Sequence, residues 1–215
     1  VVSIAEETEV THKMYQDNIR EYGRVFGGVV FPGERPGFAV ALGEDRLPII
    51  GNRHVYHQYL LGEFEAINHH DLLEGCIELS SHFNVDYFFW RLSQTHENLL
   101  QLWNRQQRQM GKPEILIYQA DFSMDDGNIE QIMAILRNRL RADNKLLDLT
   151  PDSKLNGYFG EFPVSAIGTA KDLEYPAISA WGYASATLES IPPVLEDDVG
   201  GFKYPSHSVD PVTGY

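Results

Sequence analysis

The sequence predicts a mixed α/β fold, in which helices cover the faces of a five-stranded sheet. Three apolar segments separated by short turns come first, which is typical of an antiparallel meander. The hydrophobic pattern then changes from strand-like to a repeat of three and four residues, which indicates a helix. Strand-like and helix-like segments alternate after that point, which is typical of strand–helix crossovers.

The predicted meander is formed by apolar segments that end at glycine or proline. Arg24–Phe31 is followed by the turn residues Pro32 and Gly33, and Phe38–Leu42 ends at Gly43. The third segment, His54–Leu61, has further apolar character just beyond its end. We therefore predict three consecutive strands that pair antiparallel.

The first crossover is predicted over the segment that follows the meander. One helical face would carry Leu72, Leu73, Cys76, Leu79, Ser80 and Phe83. Asp71 and Glu74 form a plausible capping pair at the start of this helix. The aromatic segment Val85–Leu92 is predicted to be the next strand. A second helix, from Leu99 to Met110, and the strand Glu114–Gln119 complete the five-stranded sheet.

The second half of the chain predicts further helices. Ile129, Ile132, Met133, Leu136 and Leu140 lie on one stripe of a third helix, preceded by the capping residues Ser123, Asp125 and Asp126. Lys145–Leu149 suits a short strand or extended segment, and Thr150 with Pro151 suits a helix start. A last helix is predicted from Pro176 to Glu189.

We divide the chain into three parts. Residues 1–21 are polar and weakly periodic, which suits a linker or docking segment. Residues 22–190 form the α/β domain. Residues 191–215 are rich in Pro, Gly, Asp and Ser and are expected to form an extended tail that could dock on a partner through Phe202, Tyr204 and Tyr215.

The overall composition excludes several protein classes. At 215 residues and 43% hydrophobic content the chain can bury a full core, which excludes general disorder. A net charge of −14 argues against a surface that neutralises a long run of phosphates. Because no apolar stretch approaches the roughly 18 residues of a membrane helix, we expect no membrane association. A single cysteine cannot form an internal disulfide, which suits a cytoplasmic location.

Common catalytic and nucleotide-binding motifs are absent from the sequence. There is no phosphate-binding loop, dinucleotide fingerprint or nucleophile elbow. The single cysteine, Cys76, excludes an internal disulfide and suits the core face of a helix. His54, His57, His69 and His70 suit solvated turn and strand positions better than metal ligation.

Five passages together resemble a known family. Gly28–Phe38, Leu72–Leu92, Ile115–Asp121, Leu155–Phe162 and Glu174–Ala184 are similar to the RNase H-like nuclease domain of phage terminase large subunits, which package viral DNA. The resemblance implies an RNase H-like fold and a metal-dependent DNA endonuclease that uses Mg²⁺ or Mn²⁺. It also implies double-stranded DNA and phage packaging proteins as partners, in the cytoplasm of a bacterial host.

The resemblance implies one site residue, Glu174, which opens the late helix in an acid-x-x-Ala pattern and is a candidate catalytic and metal-binding acid. Asp121, at the end of a predicted strand, is the second candidate catalytic and metal-binding acid. Arg91 is the candidate nucleic-acid contact. The alternatives are purely structural roles. Glu174 would be a carboxylate that stabilises the start of a helix, and Arg91 would be a solvated residue at the end of a strand.

The sequence departs from the family at two metal-binding positions. Gly28 and Val29 occupy the place of the first-strand aspartate, and Phe89-Trp90-Arg91 occupies that of the fourth-strand aspartate. Glu63, Glu65 or Asp121 could substitute, although no spacing selects among them. Because one carboxylate does not hold two metal ions, three interpretations stay open. They are a nuclease with a degenerate site, a catalytically inactive structural or interaction module of a phage or prophage assembly, and an unrelated α/β domain.

Overall fold

A computed structural model of the protein describes residues 11–14, 22–45, 56–85, 87–90, 94–119, 139, 146–161 and 175–190. The predicted mixed α/β fold is confirmed, with helices flanking a mixed sheet. The strands are β1 (Thr11–Met14), β2 (Arg24–Val30), β3 (Gly37–Glu44), β4 (Gln58–Ala66), β5 (Tyr87–Trp90), β6 (Ile117–Gln119) and β7 (Leu147–Asp148). The helices are α1 (His69–Phe83), α2 (Gln94–Gln109), α3 (Lys154–Glu161) and α4 (Pro176–Ser190).

The sheet is a meander extended on both sides. Six strands run in the order β1-β4-β3-β2-β5-β6, and the short β7 pairs with β4. Strands β2, β3 and β4 are antiparallel neighbours, whereas β5 is parallel to β2 and β6 is parallel to β5. These are the five strands that the sequence predicts. Two further strands lie on the far edge of β4. Strand β1 lies in the predicted linker or docking segment, and β7 lies within Lys145–Leu149, the segment predicted to be a short strand or extended.

The central strands are buried on both faces. Every residue of β3 is buried, as is β2 from Phe26 onward. Side chains of successive strand residues point to opposite faces, and Ala39 pairs with Phe64 while the adjacent Val40 pairs with Gly28. Helix α1 lies against Phe64, and α4 lies against Gly28. The two helices therefore cover opposite faces of the sheet, which explains the continuous apolar runs.

The helix caps differ from those predicted. Helix α1 begins earlier than its capping prediction, because the side chain of Asn68 accepts a hydrogen bond from the backbone N–H of Asp71 at 2.8 Å. Helix α3 begins after Ser153, whose Oγ accepts from the N–H of Asn156 at 3.0 Å. The predicted caps Asp71 with Glu74, and Thr150 with Pro151, are therefore wrong. In both cases a side chain closer to the first helical turn supplies the acceptor.

Other predicted boundaries are confirmed to differing degrees. The last helix, α4, agrees with its prediction within one residue, whereas the third meander strand begins four residues later than predicted, at Gln58. The predicted third helix, apart from Arg139, and the predicted tail lie outside the described residues. Within the described ranges, no helix combines the length and apolar character that a membrane crossing requires.

Candidate functional site

The three candidate site residues lie outside the described part of the chain. Glu174, Asp121 and Arg91 all belong to this group, so their roles stay predictions. Their described neighbours locate the relevant edge of the sheet. Trp90 ends β5 and Gln119 ends β6, and both strands run parallel to β2. The carboxyl ends of three strands therefore meet at one edge, which is where open α/β sheets commonly bind ligands.

The late helix runs from this edge across the face of the sheet. At its start, the guanidinium of Arg35, in the turn that follows β2, lies 5.9 Å from the ring centroid of Tyr175. Further along α4, Oγ of Ser185 donates a 2.9 Å hydrogen bond to the side chain of Gln58, at the opposite end of β4. Helix α4 is thus antiparallel to β2 and β4 and crosses the central strand midway.

At that crossing, Gly28 leaves no room for a side chain. A β-carbon on Gly28 would overlap the backbone carbonyl oxygen of Ala180 and would lie 3.1 Å from the backbone nitrogen of Ala184. Ala180, Trp181 and Ala184 are fully buried. The helix backbone therefore contacts the strand backbone where the family resemblance would place a metal-binding aspartate. Neither a carboxylate nor an ion fits between them.

The two substitute acids that lie in the described residues hold a helix to the sheet. Glu63 is 1% exposed, and its carboxylate oxygens accept hydrogen bonds from the backbone N–H groups of Lys154 at 2.6 Å and Leu155 at 3.0 Å. Glu65 accepts from Nζ of Lys154 at 2.5 Å and from the hydroxyl of Tyr158 at 2.6 Å. Glu63 thus satisfies the first N–H groups of α3 and complements the helix dipole. These contacts give both acids a structural role.

A third buried acid is also paired. Glu44, at the end of β3, is 2% exposed, and its Oε2 accepts from both Nε and Nη2 of Arg24, at 2.9 Å and 2.5 Å. Arg24 lies directly opposite Glu44 in the β2–β3 register. Cross-strand placement of opposite charges therefore accounts for this pair.

An aromatic cluster occupies the carboxyl edge of the sheet. The ring centroid of Phe31, directly after β2, lies 4.6 Å from Trp90, 5.5 Å from His69 and 5.1 Å from His96. The rings of Trp90 and His96 are 4.6 Å apart, and those of His69 and His96 are 6.1 Å apart. The indole N–H of Trp90 is buried and has no hydrogen-bond partner among the described residues. We call Phe31, Trp90, His69 and His96 the edge cluster.

The two histidines of the edge cluster both have a lowered pKa. Burial lowers the pKa of His69. It also lowers the pKa of His96, with a further contribution from the neighbouring His69. The prediction of a solvated turn position is wrong for His69, because its ring packs on Phe31. The order of the elements could have predicted that His69 and His96 lie close together. Helix α1 follows β4 and α2 follows β5, and both strands end at this edge.

The remaining described candidates have structural explanations. His57 is 18% exposed and contacts Asp148 at 3.2 Å, so it too is less solvated than predicted. Cys76 is buried on α1 as predicted, and burial raises the pKa of its thiol. His70, Asp71 and Glu74 converge on the surface of the first turn of α1. The side chain of Asn68 donates to Asp71 at 2.6 Å, so this group forms part of the helix cap, and we assign no ion to it.

Comparisons with known proteins add no relative to this picture. No family model, curated protein or solved structure matches the chain. The fold and the contacts described above therefore carry the functional argument.

Proposed function

We propose that this chain is an RNase H-like module without a two-metal active site, acting as a structural or interaction module of a phage or prophage assembly. The contact between Gly28 and the backbone of α4 carries this proposal. Two-metal hydrolysis needs several anionic oxygens around ions about 4 Å apart. The first of these oxygens would come from the central strand β2. At that position β2 has Gly28, which the backbone of α4 covers.

The RNase H-like part of the proposal is supported by strand order. An antiparallel meander β2-β3-β4 is extended by β5 and β6, each parallel to its inner neighbour, and a late helix crosses the central strand. This is the arrangement that the sequence resemblance implies. The association with phage assemblies depends on that resemblance alone. The net charge of −14 favours a protein partner over a long DNA surface.

The competing function is a DNA endonuclease with a degenerate site. One observation favours it: Tyr175, the residue after Glu174, lies at the edge where β2, β5 and β6 end. Its candidate acids are Glu174, which precedes Tyr175 in the sequence, and Asp121, which follows β6 in the sequence. Such a site would lack the contribution of the central strand, so it would need ligands from the partner or the substrate.

A cleavage assay distinguishes the two functions. Linear and supercoiled double-stranded DNA are incubated with high concentrations of the protein and Mg²⁺ or Mn²⁺, beside Glu174→Ala and Asp121→Ala. We expect no cleavage above the background of a metal-free sample. Cleavage by the wild type that both variants lose would overturn the proposal and establish the endonuclease.

The interaction role needs its own measurement. Light scattering should show assembly when the protein is mixed with purified DNA-packaging proteins of a phage, at concentrations where each alone is monodisperse. A protein that stays monomeric and binds none of them would contradict the assembly role. That outcome would leave the cleavage result unaffected.

A further inference from the structure

The edge cluster joins four elements through two titratable rings. His69 is the first residue of α1, and His96 lies in the first turn of α2. Phe31 follows β2 and Trp90 ends β5, and both aromatic rings are buried. Each imidazole contacts Phe31, and the two imidazoles face each other at 6.1 Å. The cluster therefore packs the starts of both helices onto the carboxyl edge of the sheet.

This environment favours neutral imidazoles. The amino-terminal end of a helix carries a partial positive charge, which disfavours a cation there. Both histidines occupy such ends, on helices of 15 and 16 residues. Each ring also packs against apolar side chains, which do not solvate an imidazolium. A proton on one ring would repel a proton on the other.

The charged neighbours do not reverse this preference. On α1 the adjacent groups are His70 and Asp71, and on α2 the adjacent acid is Glu97. The turn after β2 carries Glu34 and Arg35, both exposed. Trp90 contributes no charge from β5. The acids would favour imidazolium, yet the pKa of both histidines is lowered, by burial for His69 and by burial with repulsion from His69 for His96.

Metal binding is a weaker explanation for the pair. Stable sites for borderline divalent ions usually have three or four protein ligands. Among the described residues, no third His, Cys, Asp or Glu completes a ligand group with His69 and His96.

We propose that His69 and His96 form an acid-sensitive clasp, which holds the starts of α1 and α2 together on the sheet edge and opens when the imidazoles protonate. The opening would expose Phe31 and Trp90, which are buried in the closed state. The clasp lies at the same edge as the segment that begins α4. Acidification would therefore loosen this edge before the rest of the core.

The sign of the pH effect follows from linkage. A histidine whose pKa is lowered by folding binds a proton more readily in the unfolded state. Stability is then fully present above the unperturbed pKa of about 6.5 and falls as the pH drops below it. Because the two rings interact, the pair is expected to titrate in two macroscopic steps.

Thermal unfolding between pH 7 and about pH 5 tests the clasp. We compare the wild type with the double variant His69→Gln/His96→Gln and with His82→Gln as a matched control. His82 is exposed in the last turn of α1, at the opposite end of the same helix. Over this range, the decrease in Tm of the double variant should be less than about half of the decrease in Tm of the wild type. His82→Gln should behave like the wild type.

Either of two results would overturn the proposal. One is a double variant whose Tm falls with acidification as steeply as that of the wild type. If the double variant does not fold, imidazole NMR titration of the wild type decides, with signals assigned from His69→Gln and His96→Gln. Midpoints below about 6.5 for both residues support the clasp, and midpoints at or above that value refute it.

Discussion

Strands β2 and β4 are separated only by β3, yet they differ in whether they can carry an acidic side chain on the face that α3 and α4 cover. At the centre of β2, Gly28 contacts the backbone of α4 and excludes any side chain. On β4, Glu63 and Glu65 face the same side of the sheet as Gly28, because Val40 pairs with both Gly28 and Glu63. Both acids are bonded to α3.

The difference shows that the way a helix meets the sheet determines what an acid can do. Helix α4 packs backbone against backbone, which needs small residues such as Gly28, Ala180 and Ala184. Helix α3 begins beside β4, and the carboxylate of Glu63 accepts hydrogen bonds from its first N–H groups. Neither arrangement leaves a carboxylate free to bind a divalent ion.

The largest effect is expected from Gly28→Ala. The added methyl group would overlap the carbonyl of Ala180, which belongs to a helix backbone and does not move cheaply. We expect a loss of about 3 kcal/mol or more in the free energy of unfolding, measured by urea denaturation. A carboxylate introduced by Gly28→Asp should be tolerated even less.

Gly157→Ala is the matched control for this prediction. Gly157 lies within α3, is exposed, and a β-carbon there would meet nothing within 4 Å. Because Ala is the better helix former, this change should stabilise the protein by about 0.5–1 kcal/mol. A Gly28→Ala protein as stable as the wild type would mean that α4 is not seated on β2 as described.

The second effect concerns the acid side of the comparison. Glu63→Gln removes the buried charge and leaves one of the two N–H groups at the start of α3 facing an amide donor. We expect a loss of about 2–3 kcal/mol by urea denaturation. Glu34→Gln, at an exposed turn position, should change stability by less than about 0.5 kcal/mol. Equal stabilities for the two variants would show that Glu63 is not a structural acid.

The fold could be predicted from sequence because its signals are local and repeated. The apolar segments of the meander and the stripe of Leu72, Cys76 and Leu79 report burial directly. The last helix was placed correctly from Pro176 and its apolar face. The capping errors at Asp71 and Thr150 arose because several polar residues precede each helix, and only the backbone geometry selects one of them.

The site could be predicted less well, because its residues meet only in three dimensions. Glu63 and Lys154 are 91 positions apart, so no spacing rule links them. The pairing of His69 with His96 depends on where two crossover helices begin. Gly28 is the clearest case. The sequence shows that an acid is missing there, but only the structure shows that the backbone of α4 occupies the space of a side chain.

A smaller effect is expected from Tyr158→Phe, which removes one side-chain contact between α3 and β4. The lost hydrogen bond to Glu65 should lower stability by about 1 kcal/mol, measured by urea denaturation. Burial, followed by Glu65, raises the pKa of Tyr158. The contribution of this tyrosine is therefore fully present below pH of about 10 and is lost as the pH rises further. A Phe variant as stable as the wild type at neutral pH would contradict this role.

The smallest effect is expected at an exposed ion pair outside the compared strands. Nε and Nη2 of Arg108 donate to the two carboxylate oxygens of Glu114 at 2.8 Å and 2.7 Å, and this hydrogen bonding lowers the pKa of Glu114. Its contribution is present above the unperturbed value of 4.5 and is lost as the pH falls below it. Because solvent screens the pair, Arg108→Gln should lower Tm only slightly, and not at all in about 1 M NaCl. Lys112→Gln, an exposed change nearby, should leave Tm unaltered at both salt concentrations. If Arg108→Gln instead destabilised the protein as much as Glu63→Gln at high salt, burial would not be what separates structural acids from surface ones in this molecule.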